Sequence, residues 1–229
     1  MREPMEETHS GDLEALKRRN KSLILSMINQ KGPISRAELT QHTDLSKVTI
    51  TRLVKELLEE EIVHEVGLDV SSGGRRPILL ELNPDSGFII GLDVGLDSIR
   101  AGLTNLKGNI LMGVKRKNEV AKTGKELVQR IKEVVDELLG QSDIRSDIRP
   151  DKIKGIGVSM PGLIDAKEGV ILFGHVVNEK NIPLRALLKE YFTYPIYVDN
   201  DANVGVLGER YLGVGKEAKD ILYIHTKRH

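Results

Sequence analysis

Asp199, Asn200 and Asp201 stand where a β-branched and aromatic run, Ile196-Tyr197-Val198, gives way to a helix-like pattern starting near Ala202. Carboxylates at the mouth of a strand can take a proton from a hydroxyl under attack, or can grip hydroxyl groups through hydrogen bonds. Asn200 and Asp201 can also simply cap the helix that follows. Two further clusters raise the same question. Asp93 and Gly95 lie in GLDVG at a strand-to-strand turn, where backbone amides can meet an anion or merely close a hairpin. Ser159, Pro161 and Gly162 form a tight turn in GVSMPGLID, and Asn178 follows in VNEKNIPL. His175, His225 and His229 show no ligand spacing, and the chain has no Cys, so neither a metal site nor a disulfide is expected. No cofactor is expected.

A different chemistry is written nearer the N-terminus. Ser46 caps a helix whose apolar back is Ile50, Leu53, Val54, Leu57 and Leu58. Its polar front carries Lys47, Thr49, Thr51, Arg52 and Lys55. In a major groove, Lys and Arg can reach guanine, and Thr can meet a thymine methyl or a phosphate. A loop, SSGGRRP, adds Arg75 and Arg76 for phosphates or a narrow minor groove. Lys17-Arg18-Arg19, Lys21, Lys47, Arg52 and Arg75-Arg76 can share one side. Residues 1–84 nevertheless hold 12 Lys plus Arg against 14 Asp plus Glu, a balance that suppresses nonspecific phosphate binding.

The elements that must position these residues are legible from pattern. Residues 1–11 read as a disordered tail. Asp12 to Gln30 carries helical apolar spacing and is stopped by Lys31-Gly32-Pro33. Ser35 with Glu38 makes a capping box for a second helix, and the Ser46 helix is the third. Strands at 62–66 and 78–82 follow, which completes a winged helix-turn-helix over 12–84. Asn83-Pro84-Asp85-Ser86-Gly87 marks the expected boundary and hinge. Beyond it come three strands in a meander (88–94, 98–104, 110–114), a helix at 125–139, and a polar loop at 141–151. Strands at 153–159 and 196–199, helices at 184–191 and 202–212, and a further strand starting at 221–225 complete the order. The fold class expected is α/β, with 85–229 forming one lobe of a ribonuclease-H-like, actin-like ATPase fold. The 229 residues are 39% hydrophobic, carry 34 basic and 34 acidic side chains, and contain no apolar run long enough for a membrane span. The polar N-terminus has no signal-peptide core, so a cytoplasmic protein with no membrane partner is expected.

Taken together, NKSLILSMINQKGPISRAELTQHTDLSKVTITRLVKELLEEEIV, GGRRPILLELNP, GLDVGLDSIRAGLTNLKGNIL, GIGVSMPGLID, VNEKNIPL and VDNDANVGVLGERYLGVGK resemble the ROK family (repressors, open reading frames and kinases). The likeness is to its DNA-binding branch, which includes xylose and N-acetylglucosamine repressors, and it covers most of residues 20–216. The resemblance implies a sugar site at Gly162, Asn178, Asn200 and Asp201. It makes Asp201 the counterpart of the kinase general base, and Asp93 and Gly95 the remnant of a phosphate motif. Leu96-Asp97 stands where the kinases prefer Gly-Thr, and both bulk and charge oppose a phosphate. The family's second, glycine-rich phosphate loop, its downstream zinc cluster and its second lobe are expected to be absent, through fragmentation or a shortened gene. The expectation is therefore no enzyme and no catalytic residue. It is a sugar-responsive transcriptional regulator, a repressor of carbohydrate-utilisation genes, binding double-stranded operator DNA as a homodimer. The alternatives are an ATP-dependent sugar kinase with a fused winged helix, or a constitutive DNA-binding remnant.

Overall fold

A computed structural model of the chain describes residues 7–68, 77–142, 148–216 and 218–225. They divide into two compact units, residues 1–84 and 85–229.

The first unit opens with α1 (Glu7–Lys31), which buries Ile24 and Ile28 and ends where the Gly32 amide donates to the Ile28 carbonyl. A two-residue strand, β1 (Ile34–Ser35), leads into α2 (Arg36–His42). The capping box expected from Ser35 and Glu38 is present. The Glu38 amide donates to Ser35 Oγ at 3.2 Å, and the Ser35 amide donates to Glu38 Oε2 at 2.8 Å. Helix α3 (Lys47–Glu59) starts at Ser46, whose Oγ accepts the Thr49 amide, and it buries Ile50, Leu53, Val54 and Leu57. Strands β2 (Val63–Leu68) and β3 (Ile78–Leu82) pair antiparallel, and β1 joins the far side of β3. This is the winged helix-turn-helix arrangement. The wing connection falls on residues 69–76, so Arg75 and Arg76 lie outside the described residues.

The second unit is built on a five-stranded sheet in the order β10-β7-β4-β5-β6. Its first three strands, β4 (Phe88–Val94), β5 (Ser98–Asn105) and β6 (Ile110–Lys117), form the antiparallel meander. Helix α4 (Gly124–Ser142) crosses to β7 (Ile153–Met160), which runs parallel to β4. After β8 (Leu163–Asp165), β9 (Val170–Phe173) and α5 (Leu184–Lys189), strand β10 (Ile196–Asn200) adds parallel to β7 and feeds directly into α6 (Asp201–Tyr211). This is one lobe of the ribonuclease-H-like fold. On β4 the pleat alternates strictly: Phe88, Ile90, Leu92 and Val94 are buried, and Ile89, Gly91 and Asp93 point the other way. The buried face packs in one core with Leu127, Ile131, Val135 and Leu138 of α4 and Leu184 and Leu188 of α5.

Three elements differ from expectation. Helix α1 begins at Glu7, inside the segment 1–11 expected as a disordered tail, because polar residues alone do not break a helix. The β8–β9 hairpin is too short for an apolar pattern to announce it, and it turns through Gly169 at φ +70°. Residues 221–225, expected to start a strand, pair with none among the described residues. A lone extended segment gains no ladder of backbone hydrogen bonds. This one lies against α6 instead, with the Tyr223 ring so close to Gly205 that a Cβ there would come within 2.6 Å.

Candidate functional site

Helix α3 presents a stripe opposite its buried face. Val48, Thr51, Arg52 and Lys55, at i, i+3, i+4 and i+7, are all exposed. Lys47 is exposed in the first turn. Ser46 and Thr49 are occupied with the helix start, their hydroxyl oxygens 2.9 Å apart, and Thr49 is half-buried. Thr51 Oγ1 donates to the Lys47 carbonyl at 2.8 Å. Of the expected reading residues, Lys47 and Arg52 therefore offer the least committed polar groups. Lys17 and Lys21 do not join this face. They pair with Glu56 at 2.9 Å and Glu60 at 2.5 Å near the other end of α3, because one helical turn separates the partners on both helices. The Lys17 bond holds the Glu56 carboxyl below its ordinary range.

The second unit carries an open cavity of about 990 Å³ over the exposed face of its sheet. Gly113, Gly102, Gly91 and Gly157 are direct cross-strand neighbours and form a flat floor. No sequence window reveals this row, since the four residues align only once the register is known. At the carboxyl ends of the strands, Asp93, Ser159 and Asp199 are likewise in register on β4, β7 and β10, and all three line the cavity with Asp201.

Asn200 joins two elements. Its Oδ1 accepts the Ala202 amide at 2.8 Å and so caps α6, while its Nδ2 donates to the Gly162 carbonyl at 2.7 Å. Gly162 needs to be glycine: its φ is +137°, and a Cβ would stand 2.4 Å from the Phe173 carbonyl oxygen. Asp201 Oδ1 also accepts the Ala202 amide, and Oδ2 lies 3.4 Å from His225 Nδ1. The structure thus brings Gly162, Asn200 and Asp201 together. Asn178 stands on the exposed loop after β9, where its amide donates to the Ala121 carbonyl. His225, which has no recognisable spacing in the sequence, faces the Asp201 carboxylate.

At the turn expected to be the remnant of a phosphate motif, the Gly95 amide donates to the Ser98 carbonyl at 2.9 Å. Asn118 pins the same turn, donating Nδ2 to the Gly95 carbonyl at 2.6 Å and its amide to the Asp97 carbonyl at 2.9 Å. Leu96 packs on the core. The turn is closed upon itself, and Asp93 projects past it into the cavity. Among the described residues no group of three or more His, Cys, Asp or Glu is placed to hold a metal ion, and no helix is long and apolar enough to cross a membrane.

Comparison with known proteins bears on both units. The winged helix-turn-helix DNA-binding family model matches residues 17–64, and the ROK family model matches residues 89–228. The xylose repressor of Caldicellulosiruptor bescii is 35% identical over 214 residues, which are 93% of this chain and 53% of that protein. The xylose repressor of Bacillus subtilis (strain 168) is also 35% identical, over 93% of this chain and 54% of its own length. The DNA-binding transcriptional repressor Mlc of Escherichia coli (strain K12) is 24% identical over 95% of this chain and 53% of its own. A crystal structure of a ROK family transcriptional regulator, a homologue of E. coli Mlc, superposes with a TM-score of 0.76 at 24% identity, covering 89% of this chain and 50% of that one, and establishes the fold. The chain spans about half the length of the curated relatives it matches. With a ROK match that runs from the second strand-forming residue of the lobe to its far end, and a DNA-binding winged helix before it, the chain belongs to the ROK family.

Proposed function

We propose that the chain is the DNA-reading and sugar-sensing part of a transcriptional repressor of carbohydrate-utilisation genes, acting in the cytoplasm as a homodimer. The observation that carries this reading is the stripe on α3, an exposed front containing Arg52 and Lys55 directly behind a side-chain cap, on a helix whose other face is fully buried. Such a helix enters the major groove with its N-terminal turns against base edges. The grip formed by Gly162, Asn200 and Asp201 supplies the mixed donors and acceptors that adjacent hydroxyl groups require, and the family resemblance adds Asn178 to it. The xylose repressors among its relatives make xylose the first sugar to test. A sugar that binds one arrangement of the two units better than another shifts operator affinity by that differential alone.

A gel-shift titration at moderate salt, with and without xylose, tests the reading. Sequence-selective binding that weakens with sugar is expected. Changing Arg52 to Ala should weaken specific binding by about tenfold, the lower range for loss of a bidentate base contact. Binding without sequence preference would sink the proposal.

A kinase reading has one observation in its favour, the placement of Asp93 and Asp201 on one cavity. The spent Gly95 amide and the Leu96-Asp97 turn weigh against it, because a phosphate needs open amides and no extra negative charge. Sugar-dependent ATP consumption that disappears in Asp201→Asn would favour it.

A further inference from the structure

Val48 is the apolar residue of the α3 front, and the folding of the first unit does not account for it. It is 80% exposed in the first turn of the helix, more than any other large apolar side chain described in that unit. It makes no contribution to the core, which takes Ile50, Leu53, Val54 and Leu57 from the same helix. A β-branched side chain also lowers helix propensity at a surface position, where Ala or Lys would serve better. It opens the exposed stripe: Thr51, Arg52 and Lys55 follow it at the helical spacings i+3, i+4 and i+7, all exposed. The Thr51 hydroxyl is turned back onto the Lys47 carbonyl, so the polar reach around Val48 comes from Arg52 and the lysines.

The base edges of a major groove offer one apolar group, the C5-methyl of thymine. An isolated apolar side chain amid cations on a groove-facing helix matches that group and nothing else in the groove. Resting on the DNA-reading role given to α3 above, we propose that Val48 is a specificity-determining residue that packs against a thymine methyl in the operator. The helical rise places Val48 about 6 Å from Arg52 along the axis, so that thymine lies within about two base steps of the base pair Arg52 contacts.

The test begins with selection of duplexes from a random library by the full 229-residue chain, followed by anisotropy titrations on the enriched sequence. Each thymine is replaced in turn by deoxyuridine, which removes the methyl and keeps the base pair. At one position the substitution should weaken wild-type binding about fourfold, the equivalent of one buried methyl group. Val48→Ala should bind the thymine duplex about fourfold more weakly and be indifferent to deoxyuridine at that position. Because Val48 is exposed and Ala favours the helix, the variant should melt no lower than the wild type, so weaker binding would not be a folding effect. An enriched motif in which no deoxyuridine weakens the wild type, or a Val48→Ala protein that still loses affinity to deoxyuridine, overturns the role of Val48 and leaves DNA reading intact. Enrichment of no motif overturns the DNA-reading role itself, and this proposal with it.

Discussion

Asn200 holds three pieces of backbone at one point. Its own strand ends there, the first turn of α6 hangs from its Oδ1, and the β7–β8 turn hangs from its Nδ2 through the Gly162 carbonyl. The Asp199 carboxylate steadies the arrangement, accepting from the Asn200 amide at 2.7 Å and from Asn203 Nδ2 at 2.9 Å. With both polar ends of its amide engaged, the side chain has a fixed rotamer, so the hydroxyl-bearing ligand proposed above would meet a preorganised edge and not a mobile one. Removal of the side chain costs a cap and leaves the half-buried Gly162 carbonyl without its donor. Asn200→Ala should therefore destabilise the second unit by about 2 kcal/mol in denaturant unfolding. Asn200→Asp should keep the cap but set a carboxylate oxygen against the Gly162 carbonyl, so it should rescue only part of the loss. Full rescue by Asp would mean that capping alone is what this residue does.

At the scale of elements, what was legible depended on whether the signal was local. Ser35 with Glu38 and Ser46 with Thr49 are contacts three residues apart, and both helix starts were readable from spacing. The meander was readable because each strand shows its period and each turn its residues. The β8–β9 hairpin and the glycine floor of the cavity depend on register between distant strands, which no window contains. The segment 221–225 looked like a strand because its residues favour one, but strand formation needs a neighbour that propensity does not supply. Val48 shares the helical spacing of Thr51, Arg52 and Lys55, but its apolar side chain stands out only once its exposure is known. The capping box of α2 makes a pH prediction. Hydrogen bonds from the Ser35 amide and hydroxyl hold the Glu38 carboxyl below its ordinary value of 4.5. A lowered acid stabilises the fold above that value, and the contribution is lost as pH falls through the folded-state value. Hydrogen exchange over residues 34–43 should accelerate relative to its pH 7 level, after correction for intrinsic rates, as pH drops below about 4.5. In Glu38→Gln the added acceleration should shrink, with a remainder from acids such as Glu56. Equal profiles for the two proteins would show that the carboxylate does not hold α2.

For the molecule as a whole, charge decides how the proposed operator binding would be organised. The 34 basic and 34 acidic side chains cancel, and residues 1–84 lean acidic by 12 against 14. A chain so balanced gains little from general attraction to DNA, so selectivity must come from a few cations placed on the reading face. Those are Lys47, Arg52 and Lys55 on α3, with Arg75 and Arg76 in the wing sequence. Lys17 and Lys21 are held by Glu56 and Glu60 and should add nothing. Lys55 and Glu59 approach to 3.6 Å, but both are well exposed, and such a pair is weak enough to be given up for a phosphate. Each phosphate neutralised contributes about 0.9 to the slope of log affinity against log salt. Fewer than about five contacts per protomer follow if Arg52 reads a base, so the slope per protomer should stay shallower than about −4.5. Arg52→Ala should then weaken binding to the enriched sequence while changing the slope by less than one unit, since a base contact releases few counterions. Lys47→Ala should do the reverse, weakening all sequences alike and lowering the slope by about one. A slope near −10 per protomer would require phosphate contacts from cations outside this face, and would overturn the reading that these few side chains carry the binding.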